Sequence, residues 1–440
     1  MSVDRRTFLG VSAAGLAGWL PASMAGAAPA PSSAAPPNVV MIISDDQAWT
    51  DFGFMGHPQI ATPNLDAFAE EAAVFPNGYV PTSLCRASLA TLLTGLHGSQ
   101  HKICGNDPPE GVDRTKMLPF MQEAPALPRL LREAGYASLQ TGKFWEGHYR
   151  NAGFTHGMTT EGRHGGPGLA IGRETMQPIY DFVDEVDDRP FFLWYAPFLP
   201  HRPHNPPGRL LDKYTGDDRP TPIAKYYAMC EWFDETVGDV LDVVDRQGLR
   251  ENTLVVFVVD NGWIQPTGET PTTRGPFAPR SKLSPYDGGV RTPVMLRWPG
   301  HIEPGYCREL VSTVDLAPTI LDAAGLSPTA SMPGVSLLDR LQSRSSPTRD
   351  AVFGEIYTHD MQQLDDIGAN VTHQWVRARD WKLINPVHPT RAPNEGLHFQ
   401  TPELYHLGQD PAETHNLADR RPDSVQDLLA RLEDWTYKST

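Results

Sequence analysis

Three short, wholly apolar runs, Val39 to Ile43, Phe191 to Tyr195 and Leu254 to Val259, constrain this chain more than any other feature. They are too short for buried helices and show no polar alternation, so they read as strands covered on both faces. Such strands belong to parallel sheets, and parallel neighbours require crossover helices. Suitable helices are written between them. Thr62 and Pro63 offer an N-cap and a first-turn proline ahead of an apolar face of Leu65, Phe68, Ala69 and Ala72. Leu127 to Ala134 repeats the pattern and stops at Gly135, and a long helix from about Ile223 to Gln247 leads into the Leu254 run. The expectation is an α/β fold: a large, mostly parallel sheet sandwiched by helices over residues 38–341.

Past Gly325 the texture changes, and Ser343 to Arg349 is a polar connector. Residues 342–440 then read as a small C-terminal domain. It has short strands at Ala351 to Ile356, Gln374 to Ala378, Trp381 to Ile384 and Leu404 to Tyr405, and a closing helix from about Ser424 to Tyr437. Strands followed by a helix predict an antiparallel sheet with one packed helix.

At the other end, Asp4-Arg5-Arg6-Thr7-Phe8-Leu9-Gly10 precedes a small-residue apolar run to Leu20 and an Ala25-Gly26-Ala27 cleavage pattern. Residues 1–27 therefore read as a twin-arginine signal peptide handed to the twin-arginine export machinery, with 28–37 a linker. The run is shorter than the ~20 residues that span a bilayer and is broken by Gly15, Gly18 and Pro21, so no stable membrane anchor is expected. The implied location is periplasmic or extracellular. Loss of this segment removes two arginines and one aspartate, taking the net charge from −16 to about −17, which argues against nucleic acid as a partner. Four cysteines are sparse for a disulfide framework, although an oxidising compartment permits a bridge. Cys230, among Tyr226, Phe233, Val237 and Leu241, reads as a small core residue.

Acidic pairs stand directly after two of the strands: Asp45 and Asp46 after the first, Asp260 and Asn261 after the third. In open α/β sheets, ligands bind in the crevice at the strands' carboxyl ends. Either pair alone is an ordinary strand-terminating turn. Both together, brought to one crevice, would repel unless a cation lay between them. All-oxygen ligation without histidine suits calcium, or less well magnesium, rather than zinc. Cys85 opens a short helix whose apolar face is Leu89, Leu92 and Leu93. A helix start favours a thiolate there, or a bound anion, though a buried thiol is an equal reading of an isolated cysteine.

Several ordered stretches together resemble the type I sulfatases of the alkaline phosphatase superfamily from about Asn38 onward. They are Ser44-Asp45-Asp46, Thr62-Pro63-Asn64-Leu65-Asp66, Cys85 to Gly95, Gly142-Lys143, Pro200-His201, Asp260-Asn261-Gly262, and Lys282 ahead of Asp287-Gly288-Gly289-Val290-Arg291-Thr292-Pro293. Leu404-Tyr405, Asp410-Pro411 and Glu413 to Leu417 resemble that family's ending. The resemblance implies hydrolysis of a sulfated small molecule or saccharide by hydrated formylglycine, made from Cys85 by a formylglycine-generating enzyme. It implies that Asp45, Asp46, Asp260 and Asn261, together with residue 85, hold a calcium ion. It also implies that Lys143 and Lys282 bind the sulfuryl group, and that His201, with Lys282, protonates the leaving oxygen.

Two departures from the family pattern stand out. The usual Cys-x-Pro-Ser-Arg is here Cys85-Arg86-Ala87-Ser88-Leu89, and Gly-Lys-Trp-His is Gly142-Lys143-Phe144-Trp145. Arg86 is the expected stand-in for the arginine lost at Leu89, with His148 a second replacement to consider. A phosphoester hydrolase of the same superfamily, or a sulfatase-like protein that binds without turnover, are the competing functions. Selectivity is expected in the segments Glu146 to Gly168, Pro203 to Pro222 and Asp360 to His373, with Trp145, Trp263 and Trp375 either stacking on a sugar or packed inside.

Overall fold

The computed structural model describes residues 35–216, 219–262, 280–343, 349–393 and 395–439, so the export segment 1–27, residues 28–34 of the linker, and Trp263 lie outside the described residues. The three apolar runs lie side by side in one sheet. Its strands are β1 (Asn38–Ser44), β2 (Ala73–Tyr79), β3 (Ala137–Gly142), β4 (His156–Gly157), β5 (Phe191–Ala196), β6 (Thr253–Val259), β7 (Arg291–Arg297), β8 (Gly305–Tyr306) and β9 (Val311–Ser312). Their order is β4-β3-β5-β1-β6-β7-β2-β8, with β9 also on β2. From β4 to β6 every neighbour is parallel, and β7 enters antiparallel between β6 and β2.

Alternation along the strands explains why their sequences are apolar throughout. Val39, Met41 and Ile43 of β1, with Trp194 and Val256, face the helices Cys85–Thr94, Leu127–Glu133 and Leu316–Ala323. Val40 and Ile42, with Leu193 and Val255, face Pro63–Glu70, Gln177–Val186 and Thr221–Arg246. Each face has its own helical cover, so every residue of the central strands β1, β3, β5 and β6 is buried, while the edge strand β8 is exposed. The helix Cys85–Thr94 is buried on every side rather than on the single apolar face expected, because it lies between the sheet and other helices. Truncating its Leu92 to Ala would cost about 2–5 kcal/mol by the usual cavity penalty.

Thr62 stands at the N-cap position of Pro63–Glu70, but its hydroxyl does not cap the helix. The hydroxyl donates to Asp66 Oδ1 at 2.9 Å and accepts from the Gly53 N–H. Asp234, from the long helix, instead accepts from the Asn64 and Leu65 N–H groups at 3.0 and 2.8 Å. A cap borrowed from another helix locks two elements together.

The C-terminal strands β10 (Ala351–Tyr357), β11 (Val371–Ala378), β12 (Trp381–Pro386) and β13 (Glu403–His406) form an antiparallel sheet in that order. The helix Pro422–Ser439 covers one face through Leu428 and Leu432. The other face packs Val352, Trp375 and Ile384 on Tyr79, Tyr286 and Val290. Between the sheets the buried Lys382 ammonium pairs with Asp287 at 2.9 Å and Glu413 at 3.0 Å. Both sheets belong to one compact unit, Pro36–Thr440, and the helix Leu338–Ser343 spans the expected boundary near residue 342. Among the described residues, no helix is long and apolar enough to cross a membrane.

Candidate active site

Four neighbouring parallel strands end at nearly the same level: Gly142 pairs with Ala196, Ile42 with Tyr195, and Ser44 with Val259. The residues just past these ends are therefore delivered to one crevice. Asp45 and Asp46 leave β1, Asp260 and Asn261 leave β6, Lys143 leaves β3, and His201 comes shortly after β5. Backbone hydrogen bonds fix these exits. The Asp45 N–H donates to Leu199 O at 3.0 Å, Asp260 N–H to Ser44 O at 2.9 Å, and Lys143 N–H to Ala196 O at 2.6 Å. Asp46 takes φ +60°, a left-handed conformation that aspartate tolerates, and its N–H donates to Asp260 Oδ1 at 3.0 Å. Gly142 also has positive φ, and a Cβ there would strike the Ala196 carbonyl, so only glycine lets Lys143 turn inward.

Cys85 reaches the crevice as the first residue of its helix, which the Ser88 hydroxyl ties to Asp260 O at 2.5 Å. Its Sγ lies 2.7 Å from Lys282 Nζ, 3.6 Å from Asp46 Oδ1 and 3.7 Å from Asn261 Nδ2. Lys282 sits on a tight turn in which Leu283 takes φ +63°, a costly conformation for leucine. The Leu283 N–H donates to both the carbonyl and the hydroxyl of Ser83, two residues ahead of Cys85, so nucleophile and lysine share one anchor. Lys143 pairs with Asp45 and lies 3.6 Å from Asp260 Oδ2, while Lys282 pairs with Asp46.

Burial pushes Asp45 well above the ordinary carboxylate range; Lys143 opposes this and the neighbouring Asp260 and Asp46 reinforce it. Burial acts the same way on Asp46, but Lys282, His201 and Lys143 together hold it below its usual value. For both lysines burial favours the neutral form, and the adjoining carboxylates, Asp45 for Lys143 and Asp46 for Lys282 foremost, outweigh it, so the two stay charged. The helix start does not make Cys85 a thiolate. Burial pushes its thiol up to about 12, with Lys143 and Lys282 lowering it only partly.

A cation fits the oxygens present. Asp45 Oδ2, Asp260 Oδ2 and Asn261 Oδ1 are buried without a hydrogen-bond donor, which is costly unless something positive meets them. Ligand atoms of Asp45, Asp46, Cys85 and Asp260 all lie within 4.8 Å of one another. His201 stands beside them, its Nδ1 2.6 Å from Arg202 O and its Nε2 3.4 Å from Asp46 Oδ2. The contact to the carbonyl puts the ring proton on Nδ1, which donates to Arg202 O, and leaves Nε2 facing the crevice. Phe198 stacks on the ring at a centroid distance of 4.1 Å.

Arg86 does not join this group, and the expectation that it replaces the arginine lost at Leu89 is corrected. One position along the helix its direction diverges from Cys85, and the side chain runs inward to Glu146, with Nε to Oε1 2.8 Å and Nη2 to Oε2 2.7 Å. Met117 takes up further guanidinium contacts through its sulfur and carbonyl. The buried guanidinium is thus committed to a bidentate ion pair and unavailable to an anion. His148 accepts from the Arg150 N–H in a 3₁₀ turn. Trp145 and Trp375 are 2% and 0% exposed, so neither stacks on a sugar.

Sequence reasoning missed the surroundings of Trp145. Arg114 and Arg163 lie over its ring, and His164 meets it edge-on at 4.4 Å. Asp107 pairs with both arginines. No motif marks these residues, which come from three segments distant in sequence, around 107–114, 145 and 163–164; only the fall of Arg163 and His164 within a segment expected to overhang the pocket pointed toward them.

Comparison with known proteins agrees with this geometry. A family model described as "Sulfatase" matches residues 37–326, and one described as "N-sulphoglucosamine sulphohydrolase, C-terminal" matches residues 280–438. Human N-acetylgalactosamine-6-sulfatase is 28% identical over 90% of this chain and 84% of its own length. Human arylsulfatase A is 29% identical over 91% and 87%. In fold, the crystal structure of a putative sulfatase from Bacteroides fragilis superposes with a TM-score of 0.74 at 19% identity, covering 93% of this chain and 97% of that one.

Proposed function

We propose, from the premise that this chain belongs to the sulfatase family and hydrolyses sulfate esters, that residue 85 is the nucleophile after conversion of Cys85 to formylglycine, with Asp45, Asp46, Asp260 and Asn261 holding one calcium ion. The observation that carries this reading is the meeting of three buried carboxylates, a buried amide and two buried ammonium groups around the residue 85 side chain. Formylglycine would supply, as its hydrate, an oxygen nucleophile where a buried, protonated thiol is a poor one. The calcium ion, bound by residues 45, 46, 260 and 261 and by residue 85, would act as a Lewis acid toward the sulfuryl oxygens.

The chain's own groups do the rest. Lys143 and Lys282 bring two fixed positive charges to the place where the sulfuryl oxygens carry theirs, in a crevice that excludes most water. Leaving-group protonation falls to Lys282, which stays charged beside residue 85, together with His201. The His201 Nδ1–H is directed at the Arg202 carbonyl and burial holds the ring well below the usual imidazole range, so Nε2 enters the step unprotonated and relays a proton to the leaving oxygen rather than storing one. One water is consumed overall. The S–O bond to the alcohol breaks, the alcohol leaves with a proton, and sulfate and one further proton are released.

The substrate in this reading is a sulfated saccharide or small molecule, for which the similar N-acetylgalactosamine-6-sulfatase and arylsulfatase A are named precedents. A formylglycine-generating enzyme converts Cys85, and the Arg5-Arg6 segment directs the chain through the twin-arginine machinery to the periplasm or beyond. Peptide mass analysis of active protein should find an aldehyde at residue 85. An intact thiol at full activity would overturn the nucleophile, and turnover of p-nitrophenyl phosphate in preference to the sulfate would overturn the roles given to the lysines.

A further inference from the structure

Next to His201, the residue assigned to the leaving oxygen, lies a second polar group that the hydrolysis itself does not use. The His164 ring is 6.0 Å from that of His201 and 5.5 Å from Phe198. Arg163 donates to His164 Nε2 at 2.7 Å and reaches Asp107 through Nε at 2.7 and 2.8 Å. Arg114 donates to the same carboxylate at 2.7 Å and to the Trp145 carbonyl at 3.2 Å. Both guanidinium groups lie over the buried indole, at 5.3 Å for Arg114 and 4.8 Å for Arg163. Asp107 is tied by backbone to Met361, and Asn106, its neighbour, to His359. The Asn106 side chain also accepts from the Arg86 N–H at the start of the nucleophile's helix, so the cluster is tied to the helix that carries residue 85.

Unlike the crevice, this rim is partly open: the Asp107 and Arg163 side chains are 26% and 41% exposed, and His359 is 41%. Its charges cancel, two arginines against Asp107 and Asp360. An entering anion would have to pull Asp107 away from its guanidinium partners. A pair of adjacent hydroxyls would not, since one can donate to Asp107 while the other accepts from Arg163. Trp145 offers no face to a sugar, because the two arginines occupy it.

We propose that Asp107 and Arg163, with His164 and His359 beside them, form the leaving-group subsite, which binds the neutral hydroxyls of a sugar carrying the sulfate ester. This rests on the sulfatase reading of the crevice and deepens it. Asp107→Asn and Arg163→Gln, checked for an unchanged melting temperature, test it on monosulfated hexoses and hexosamines against p-nitrophenyl sulfate, which has no hydroxyls to place on the rim. The expected result is a loss of about tenfold to a hundredfold in kcat/KM for the sugars, carried by KM, as for one or two hydrogen bonds to charged groups. Turnover of the aryl sulfate should stay within about threefold. Equal losses on both substrates, or none on the sugars, would overturn the subsite. A disulfated sugar that suffers more than its monosulfated counterpart would overturn its preference for neutral groups. If wild-type protein hydrolysed no sulfate ester, the crevice reading would fail by itself. Binding of the desulfated sugar, followed by saturation-transfer NMR, would still decide the subsite: it should be seen with wild type and lost in both variants, and its absence from wild type counts against it.

Discussion

The crevice and its rim are two charged regions a few ångströms apart, built on different principles. In the crevice most groups leave the end of a parallel strand or the start of a helix, Lys282 and His201 come from short turns anchored to those ends, and backbone hydrogen bonds fix where they point. On the rim, Asp107, Arg163 and His359 come from loops and Arg114 from the start of a 3₁₀ turn, and they are held by side-chain pairs, Asp107 with both arginines and His359 with Asn106. The buried charges are held by the fold and cannot relax, which suits stabilisation of charge during reaction. Partly exposed pairs are each worth little to the fold and can be rearranged or replaced at small cost. On the proposed reading, that difference leaves chemistry to the crevice and selectivity to the rim.

The largest effect that would break this division is loss of the cation. With residue 85 converted, a chelator should take turnover to background, and added calcium should restore it; full activity in chelator would remove the metal from the crevice. Next in size, Lys143→Ala should lower kcat by about 10²–10³-fold, the usual loss for one preorganised charge-stabilising group, on sugar and aryl sulfates alike. A Lys143 effect confined to sugars would place the lysine functionally on the rim.

Arg86 lies between the two regions and belongs to neither. Because its guanidinium is buried against Glu146, Arg86→Ala leaves a buried carboxylate alone and should cost about 3–5 kcal/mol of stability in a denaturant titration. Arg86→Met with Glu146→Leu should recover much of that loss, since a buried pair replaced by apolar groups is close to neutral. A strong fall in kcat with no change in stability would return Arg86 to the catalytic group.

The same contrast explains what the sequence discloses. The crevice was legible because strand ends carry their acidic residues consecutively: an apolar run followed by Asp45-Asp46 or Asp260-Asn261 states both the element and what it delivers to the crevice. The order β3-β5-β1-β6, which makes those ends neighbours, is a tertiary fact that no local pattern records. Burial is equally hidden, and it reversed two local readings. The helix start at Cys85 suggested a thiolate, which desolvation overrides, and Thr62 suggested a cap, which Asp234 supplies from 170 residues away. Arg86 failed for a related reason, because its partner Glu146 is 60 residues distant and only the folded chain brings them together. The small antiparallel sheet was readable from alternation and turns, whereas its ties to Asp287 through Lys382 and Glu413 were not.

The smallest expected effect concerns Trp145, whose two roles on the rim can be separated. Its indole Nε1 is buried without an acceptor, which costs about 1–3 kcal/mol for an unsatisfied donor, while its ring supports two guanidinium groups. Trp145→Phe keeps a ring under Arg114 and Arg163 and removes the stranded N–H, but it gives up the packing of the indole's second ring. The two changes oppose each other at similar size, so stability should move by no more than about 1 kcal/mol. Kinetics on sugar and aryl sulfates should stay within about threefold of wild type, because Asp107 and Arg163 keep their seat. Trp145→Ala removes that seat as well, and should weaken sugar binding toward the level of Arg163→Gln. If Trp145→Phe instead raised KM for sugars as far as Asp107→Asn, the indole N–H would itself be a ligand contact. The buried and exposed regions would then grade into each other at residue 145 rather than divide there.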